Sequence, residues 1–371
     1  MDSSSGFELR GISKAFARHR ILDHASLRGD VSQFLVLSGP PASGKSVIAR
    51  IVCGFQHPDS GSVSMGGADI TPVSPGKRGI GYVPQSFALF PHYSVGANIS
   101  YPLDLARTPA QESRKRVAFI CEMLRISDLL DKRVDQISGG QKQRVAIARG
   151  LVKACALYVL DDPLVGLDFK LREQLVIDLR SLQREMEASF LYLTSDPLEP
   201  LMLGDGVAVL DNGRISAIHT PTDAYQRPQT LAMARALGFP RMNLIDIDVD
   251  TTTRAIRSPL FRTPARLTGA GTLARHATLA VRPEAIRVDP VDDALAMDAR
   301  VQLVEDLGAD YVVHAQTPAG SITVCHPSRQ YRARHGATES LTLWIRPQDV
   351  RLYASDTGDL LDCSIGGPGN E

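Results

Sequence analysis

The amino-acid sequence predicts two domains, an α/β domain followed by a smaller all-β domain. Up to about Gly238, runs typical of buried strands alternate with helical patterns, which indicates a largely parallel sheet. Beyond Phe239-Pro240 the pattern changes to short alternating runs that suit half-buried antiparallel strands. We therefore expect an α/β domain over residues 1–238 and an all-β domain over residues 239–371.

The composition fits such a chain and excludes several classes of protein. The 371 residues are enough for two domains with a core in each. The 41 basic and 41 acidic side chains cancel, so the overall charge does not favour nucleic acid or an anionic membrane as a partner. We find no signal peptide or membrane-spanning run, and the five scattered cysteines lack metal-site spacing, which indicates reduced thiols in a cytosolic protein.

A glycine-rich loop follows the first strongly predicted buried strand. Residues 34–38 read as that strand, and residues 47–52 read as a helix. The loop between them, which we call the P-loop, has the pattern G-x-x-x-x-G-K-S and consists of Gly39, Pro40, Pro41, Ala42, Ser43, Gly44, Lys45 and Ser46.

Such a loop suits the phosphates of a nucleotide. Glycine lets the backbone wrap closely around an anion, and successive N–H groups point inward. The N-terminus of the following helix adds a partial positive charge. Lys45 can reach the β- and γ-phosphates, and Ser46 can hold Mg²⁺. The alternative, a glycine turn with a chance lysine, leaves the strand–loop–helix order unexplained, so we predict a nucleoside triphosphate site.

Two further motifs extend this candidate site. Residues 157–161 form an apolar run that ends in Asp161, whose carboxylate would face Mg²⁺ through water if this strand lies beside the P-loop strand. Ser138 is a natural N-cap of a predicted helix, whose first turn is open to a second anion. An ordinary capped helix is the alternative. The motif at its start is S-G-G-Q, formed by Ser138, Gly139, Gly140 and Gln141.

The P-loop, the S-G-G-Q motif and the strand ending in Asp161, in this order, resemble the ATP-binding-cassette (ABC) ATPases. The resemblance covers nearly the whole chain and implies an α/β P-loop NTPase fold, a helical subdomain at about residues 88–150, and ATP with Mg²⁺ as ligands. It also implies that Gln85 is the Q-loop glutamine, which contacts Mg²⁺ and faces the membrane subunit. Asp168 resembles the D-loop aspartate. Phe16 lies where the family stacks an aromatic ring on adenine, with a core phenylalanine as the alternative.

The second domain repeats a short element. Residues 281–288, V-R-P-E-A-I-R-V, return as residues 345–352, I-R-P-Q-D-V-R-L. The duplication predicts a small barrel of two similar halves, with coincidence as the alternative. The V-R-P-E element resembles the OB-like TOBE domain of ABC importers, which implies an OB-like barrel, and Arg241-Met242-Asn243 resembles the hinge that precedes it. Both features favour the carbohydrate and polyol (glycerol-type) importers over exporters, which lack such tails.

Two positions depart from the family pattern, and both concern hydrolysis. Asp162 stands where the family has a glutamate that polarises the attacking water. Its side chain is shorter by about 1.5 Å, a displacement of the kind that lowers rates about a hundredfold. Ser195 replaces the switch histidine, and its hydroxyl is too short to span to the γ-phosphate. We expect ATP binding to be retained and hydrolysis to be slow, unless a local rearrangement or a water compensates.

The resemblance also implies partners. In this family two cassettes pair head to tail, and each ATP lies between one P-loop and the S-G-G-Q motif of the other chain. Retained binding motifs with weakened chemistry suggest that this chain is the degenerate half of a pair with an unlike, fully equipped cassette. We further expect two permease subunits, an indirectly coupled solute-binding protein, and attachment to the cytoplasmic face of the inner membrane only through the permeases.

Two other functions stay open at this point. The chain could be a largely non-catalytic, ATP-binding regulatory subunit of the same complex. It could also be a soluble cassette ATPase that acts on nucleic acid or ribosomes. The balanced charge provides no basic stripe for phosphate contacts, so the sequence favours a transport subunit without a nucleic-acid partner.

Overall fold

A computed structural model describes residues 6–269, 274–327 and 339–366 of the chain. The chain divides into two compact units, Met1–Asp223 and Ala224–Glu371.

The first unit combines parallel strands with helices. Its strands are β1 (Phe7–Phe16), β2 (His19–Gly29), β3 (Phe34–Ser38), β4 (Ser60–Met65), β5 (Ala68–Asp69), β6 (Ile80–Val83), β7 (Leu157–Asp161), β8 (Ser189–Thr194), β9 (Gly206–Asp211) and β10 (Arg214–Ile215). Its helices are α1 (Lys45–Cys53), α2 (Val95–Leu105), α3 (Ala110–Met123), α4 (Gly139–Leu151), α5 (Phe169–Met186) and α6 (Glu199–Leu203), while α7 (Pro221–Gln226) crosses into the second unit.

The central sheet has the strand order β10-β9-β3-β8-β7-β6. Neighbouring strands from β9 to β6 run parallel, and only the edge strand β10 is antiparallel. A second, antiparallel sheet has the order β2-β1-β4-β5. Strand β3, which precedes the P-loop, and strand β7, which ends in Asp161, are therefore separated only by β8. Their carboxyl ends lie at one edge of the sheet. The prediction that the strand ending in Asp161 lies beside the P-loop strand is wrong, because β8 pairs with both strands and lies between them.

Both faces of the central sheet are buried, and successive residues of β3 show this. Phe34 and Val36 belong to the cluster that packs with α2, α3 and α4, while Leu35 and Leu37 belong to the cluster that packs with α1. A strand buried on both faces has a fixed register, because a shift by one residue would exchange its two faces. The residues that follow β3, β7 and β8 are consequently held in fixed relative positions.

The second unit is built mainly of antiparallel strands. Besides α8 (Leu231–Ala236), it contains β11 (Asn243–Val249), β12 (Ile256–Arg257), β13 (Leu267–Thr268), β14 (His276–Val281), β15 (Leu295–Asp306), β16 (Asp310–Thr317), β17 (Gly320–Pro327), β18 (Ser340–Ile345), β19 (Val350–Ala354) and β20 (Ser364–Ile365). Two four-stranded sheets, β12-β11-β14-β19 and β17-β16-β15-β18, enclose one apolar core.

The repeated sequence element forms the same local structure twice. Strand β14 leads into a 3-10 turn at Pro283–Ala285, and strand β18 leads into a 3-10 turn at Pro347–Asp349. In each copy proline occupies the start of the turn, where its fixed φ suits a helical bend and its missing N–H is not needed. The predicted duplication of a strand and turn is confirmed.

The structure divides the chain earlier than the predicted boundary at residues 238 and 239. Leu231 and Ala234 of α8 pack in a buried cluster with Met242, Ala280 and Tyr353 of the second unit. The Arg282 guanidinium also donates a 2.7 Å hydrogen bond to a backbone carbonyl just before the predicted boundary, that of residue 237. Helix α8, which the sequence pattern places at the end of the α/β domain, thus shares a core with the β strands.

Candidate functional site

The P-loop connects β3 to α1 and has a backbone that favours glycine at its two ends. Gly44 has φ 106°, in the left-handed region that glycine adopts without strain. At Gly39, a Cβ atom would lie 2.5 Å from the carbonyl oxygen of Leu210, a clash with backbone. The two glycines of the motif are therefore required by the backbone path, and the loop closes tightly over the start of α1.

Lys45 lies inside this loop. Its ammonium donates hydrogen bonds to the carbonyl oxygens of Gly39 at 2.8 Å and Pro40 at 2.9 Å. Burial lowers the pKa of Lys45, and the charges of Asp162 and Asp161 partly oppose that shift. Ser43 contributes a buried hydroxyl that has no hydrogen-bond partner among the described residues. A buried cation and an unused hydroxyl in one loop fit a phosphate group.

Oxygen ligands for a divalent cation meet beside the P-loop. The Ser46 hydroxyl donates a 3.0 Å hydrogen bond to Asp161 Oδ1, and the Tyr82 hydroxyl lies 3.4 Å from Oδ2. Burial raises the pKa of Asp161, while the Ser46 and Tyr82 hydrogen bonds lower it. The described residues contain no cluster of three His, Cys, Asp or Glu side chains that could hold a metal alone. A hydroxyl and one carboxylate suit Mg²⁺, which retains waters and binds substrate phosphates.

A cavity of about 460 Å³ brings most of the predicted residues together. It is lined by the predicted residues Phe16, Pro41, Ala42, Gly44, Lys45, Ser46, Gln85, Asp161, Asp162 and Ser195, together with Ile21, Val47 and Val165. Phe16 is 44% exposed, so it is not a core residue and its ring is accessible from the cavity. Gly39, Pro40 and Ser43 belong to the same loop but do not line this cavity.

Asp162 and Ser195, the two residues expected to depart from the family pattern, contact each other. The Ser195 hydroxyl donates a 2.9 Å hydrogen bond to Asp162 Oδ2. The backbone N–H of Asp162 donates a 2.8 Å hydrogen bond to the carbonyl of Leu193. Asp162 has φ 49°, a left-handed conformation that aspartate adopts more readily than most residues. The carboxylate is therefore held at the cavity edge by its backbone and by Ser195.

The S-G-G-Q motif lies outside the cavity and forms the predicted helix N-terminus. The Ser138 hydroxyl accepts a 3.3 Å hydrogen bond from the Gln141 N–H, and the Gln141 side chain accepts a 2.9 Å hydrogen bond from the Ser138 N–H. This capping box leaves Ser138 and Gly139 exposed at the start of α4, while Gly140 is half-buried. Asp168 likewise caps α5, accepting a 3.0 Å hydrogen bond from the Leu171 N–H, and is exposed.

Besides Val47, which directly follows the P-loop, sequence reasoning missed three residues of the cavity region. Tyr82 contacts Asp161 although 79 positions separate them, because β6 and β7 pair in parallel. Ile21 comes from the antiparallel sheet, and Val165 follows Asp162 in a loop. Only the position of Tyr82, three residues before Gln85, could have suggested its role. The other two residues carry no sequence signal for a site.

The segment after Gln85 carries an aromatic surface. Phe90 is 38% exposed and Tyr93 is 42% exposed, and their ring centroids lie 5.3 Å apart. Tyr101 of α2 packs edge-on against Phe90 at 4.8 Å. Arg149 of α4 donates hydrogen bonds to the carbonyls of residues 87 and 88 and lies 5.6 Å above the Phe90 ring. We call Phe90, Tyr93 and Tyr101 the aromatic surface.

Among the residues that the structure describes, no helix is both long and apolar enough to cross a membrane.

Two family models match the chain. Residues 22–165 match the ABC transporter family, and residues 279–352 match the TOBE domain.

Two curated relatives illustrate matches over nearly their whole length. The sn-glycerol-3-phosphate import ATP-binding protein UgpC of Ruegeria sp. (strain TM1040) is 32% identical over 350 residues, covering 94% of this chain and 97% of the relative. The maltose/maltodextrin import ATP-binding protein MalK of Photorhabdus laumondii subsp. laumondii is 33% identical over 365 residues, covering 95% of this chain and 96% of the relative.

Solved structures match part of the chain. One is cbiO1 of Clostridium perfringens, part of the ABC transporter complex cbiONQ, with a TM-score of 0.56 at 25% identity over 60% of this chain and 92% of that chain. Another is a dimeric ATP-binding cassette in a post-hydrolysis state bound to ADP and Pi. Its TM-score is 0.52 at 25% identity, over 58% of this chain and 98% of that chain.

Proposed function

The chain belongs to the ABC transporter family and carries a C-terminal TOBE domain, and we propose from this premise that it energises an importer for a sugar or a polyol. The predicted family, the α/β P-loop fold with an OB-like domain, and the ATPase class are confirmed. The solute class is suggested by the relatives, whose names specify sn-glycerol-3-phosphate and maltose or maltodextrin. We infer a peripheral position on the cytoplasmic face of the inner membrane, where import subunits meet their permeases.

One observation carries the proposal, the cavity that joins the P-loop to Asp161 and Gln85. In it, Lys45 and the P-loop N–H groups bind the β- and γ-phosphates of ATP, and Phe16 stacks on the adenine. Ser46, Gln85 and Asp161 would hold Mg²⁺, and the bound ion would supply positive charge that offsets the charge of the phosphates.

Hydrolysis depends on the two residues that differ from the family. Asp162 is the group that orients the attacking water, and Ser195 holds its carboxylate through the 2.9 Å hydrogen bond. Because this hydroxyl donates to Asp162, it is directed at the carboxylate rather than at a phosphate. We therefore infer that this P-loop site binds ATP firmly and turns it over slowly.

A second chain completes the site in this proposal. The S-G-G-Q motif is exposed and lies outside the cavity that contains Lys45. Two helix N-termini from different chains can grip one polyphosphate, so ATP joins the pair and hydrolysis releases it. The weak chemistry at Asp162 and Ser195 favours an unlike partner. That partner's own P-loop site, completed by Ser138 of this chain, would carry most of the turnover.

The aromatic surface is the proposed contact with the permeases. Its three rings lie close to Gln85 in sequence and present apolar area to solvent. Exposed aromatic clusters of this kind anchor a partner helix in a groove. Phe90→Ala with Tyr93→Ala should abolish co-purification with the permeases. Phe119→Ala, an exposed aromatic on α3, is the matched control, and co-purification that survives the double change would contradict this surface.

Measurements on the assembled transporter test which of the two ATP sites carries most of the hydrolysis. Gly139→Glu places a carboxylate next to the partner's ATP, and a side chain there meets no protein atom within 4 Å. We expect this change to stop most ATP hydrolysis by the complex, whereas Lys45→Met leaves most of it. Gly76→Glu, at another position where a Cβ atom meets no protein atom within 4 Å, should leave ATP hydrolysis by the complex unchanged. If Lys45→Met stops hydrolysis and Gly139→Glu does not, this chain holds the active site and the proposal is wrong.

The largely non-catalytic regulatory subunit is the second candidate function. It is favoured by the same Asp162–Ser195 contact, and the two candidates differ in phosphate release by the purified chain. Slow but measurable release supports the ATPase half of a pair. ATP-dependent dimerisation without any release supports the regulatory subunit.

A further inference from the structure

Glu199 is a buried carboxylate that lies outside the ATP cavity and has no part in the mechanism above. It is the first residue of α6 and is only 2% exposed. Its Oε2 atom accepts a 3.0 Å hydrogen bond from the Tyr192 hydroxyl and a short one from the Thr194 hydroxyl. A carboxylate buried this deeply is stabilised only by such donors, so its two partners are held firmly in place.

The hydrogen bonds continue from Glu199 to the residues on both sides of Ser195, residues 194–196, which we call the switch segment. The Thr194 hydroxyl oxygen accepts a 3.0 Å hydrogen bond from the Asp196 N–H. The Oδ1 atom of Asp196 in turn accepts hydrogen bonds from the N–H groups of residues 198 and 199, where α6 begins. Because the Thr194 hydrogen points at Glu199, its lone pairs remain available to Asp196.

We propose that Glu199 is a positioning residue for ATP hydrolysis, whose ionised carboxylate fixes the switch segment through Thr194 and so holds Ser195 against Asp162. The inference rests on the proposed roles of Asp162 and Ser195. It assigns an influence on ATP hydrolysis to a residue that lies outside all the sequence motifs.

Glu199 changes its charge near neutral pH. Burial raises the pKa of Glu199 to about 7, with the charges of Asp196 and Asp162 adding to the shift and the two hydroxyl hydrogen bonds opposing it. Burial also raises the pKa of Tyr192 well above its usual value, so this hydroxyl stays a donor. Strand β3, which packs against α6, has no ionisable side chain. Helix α5, which also packs against α6, contributes Arg172, whose guanidinium pairs with Asp196.

Protonation of Glu199 weakens its hydrogen bond with Thr194, whichever of the two carboxylate oxygens carries the hydrogen. A hydrogen on Oε2 opposes the two hydroxyl donors that point at this atom. A hydrogen on Oε1 leaves Oε2 as a neutral carbonyl oxygen, and a neutral hydrogen bond is roughly half as strong as one to a carboxylate. The switch segment then loses part of its support, and Ser195 is held less firmly at Asp162. Turnover should therefore fall as the pH drops through 7.

The test compares the pH dependence of ATP hydrolysis by the full chain and by Glu199→Gln. The wild-type kcat should fall roughly tenfold between pH 8 and pH 6, following the ionised fraction of Glu199, with KM unchanged. Glu199→Gln has the shape of the protonated acid and should show the low wild-type value at every pH. Glu173→Gln, an exposed residue on α5, should keep the wild-type profile. Parallel profiles of wild type and Glu199→Gln would overturn the inference.

A second measurement separates this inference from the proposed function. If the chain releases no phosphate at any pH, hydrolysis at its own site is absent, and the role of Glu199 is read from hydrogen exchange at the Asp196 N–H. Glu199→Gln and Thr194→Val should each lower the protection of that N–H about tenfold at pH 8. Equal protection in wild type and both variants would show that Glu199 does not position the switch segment.

Discussion

The Ser195 hydroxyl donates a 2.9 Å hydrogen bond to the Asp162 carboxylate, across 33 positions of sequence. The two residues that we expect to depart from the family pattern thus contact each other, and the hydrogen bond holds the carboxylate at the cavity edge.

Ser195→Ala should lower kcat about tenfold and leave KM unchanged. The change removes a hydrogen bond to a charged group, a contact of about 1.5–3 kcal/mol, and the binding residues are untouched. Steady-state phosphate release measures the effect. Ser100→Ala, which removes an exposed hydroxyl contact to Asp104, serves as the control. An unchanged kcat in Ser195→Ala would show that Asp162 needs no support.

Lys45→Met should weaken ATP binding about a hundredfold. The buried ammonium is the charge closest to the proposed phosphates, and its loss removes roughly 2.8 kcal/mol of interaction. Isothermal titration with Mg-ATP measures this change. Lys170→Met, on the exposed start of α5, should bind as the wild type does. A wild-type Kd in Lys45→Met would place the nucleotide elsewhere.

Phe16→Ala should raise the Kd for ATP about tenfold, because a stacked base loses about 1–3 kcal/mol with the ring. The ring is 44% exposed, so the midpoint of thermal unfolding should hardly move. Phe16→Trp should bind at least as well as the wild type. If Phe16→Ala lowers stability and leaves binding unchanged, this residue is structural.

Glu199 should also make stability depend on pH. Its pKa of about 7 in the folded state lies above the ordinary value of 4.5. The folded protein therefore binds this proton more tightly than the unfolded chain. The contribution of the proton to the free energy of unfolding is full below pH 4.5 and is lost as the pH rises through 7. Relative to Glu199→Gln, the wild type should lose about 2–3 kcal/mol of unfolding free energy between pH 5 and pH 8.5. A difference that does not vary with pH would contradict this assignment.

Local motifs could be predicted because their contacts are local. The P-loop conformation depends on the glycines at its two ends. The cap formed by Ser138 depends on a hydrogen-bond partner only three residues away. The sequence therefore predicts both anion-binding elements and the strands and helices around them. The repeated turns of the second unit follow in the same way from proline at the start of each.

Contacts between distant residues required the strand register. Nothing near Asp162 in sequence indicates that Ser195 will reach it, since the contact depends on the parallel pairing of β7 with β8. The contact between Tyr82 and Asp161 depends likewise on β6 beside β7. The boundary that the sequence predicts lies later in the chain than the division given by the packing, because α8 reads as one more helix of an α/β alternation.

The hydrolysis rate of the chain, before and after its two unusual residues are replaced together, tests the account most directly. We predict slow phosphate release by the wild type with intact ATP binding, and release at least about a hundredfold faster in Asp162→Glu with Ser195→His, because a glutamate and a histidine restore the reach that the site lacks. Brisk release by the wild type that is lost on Asp162→Asn, with no gain in the double variant, would contradict the account.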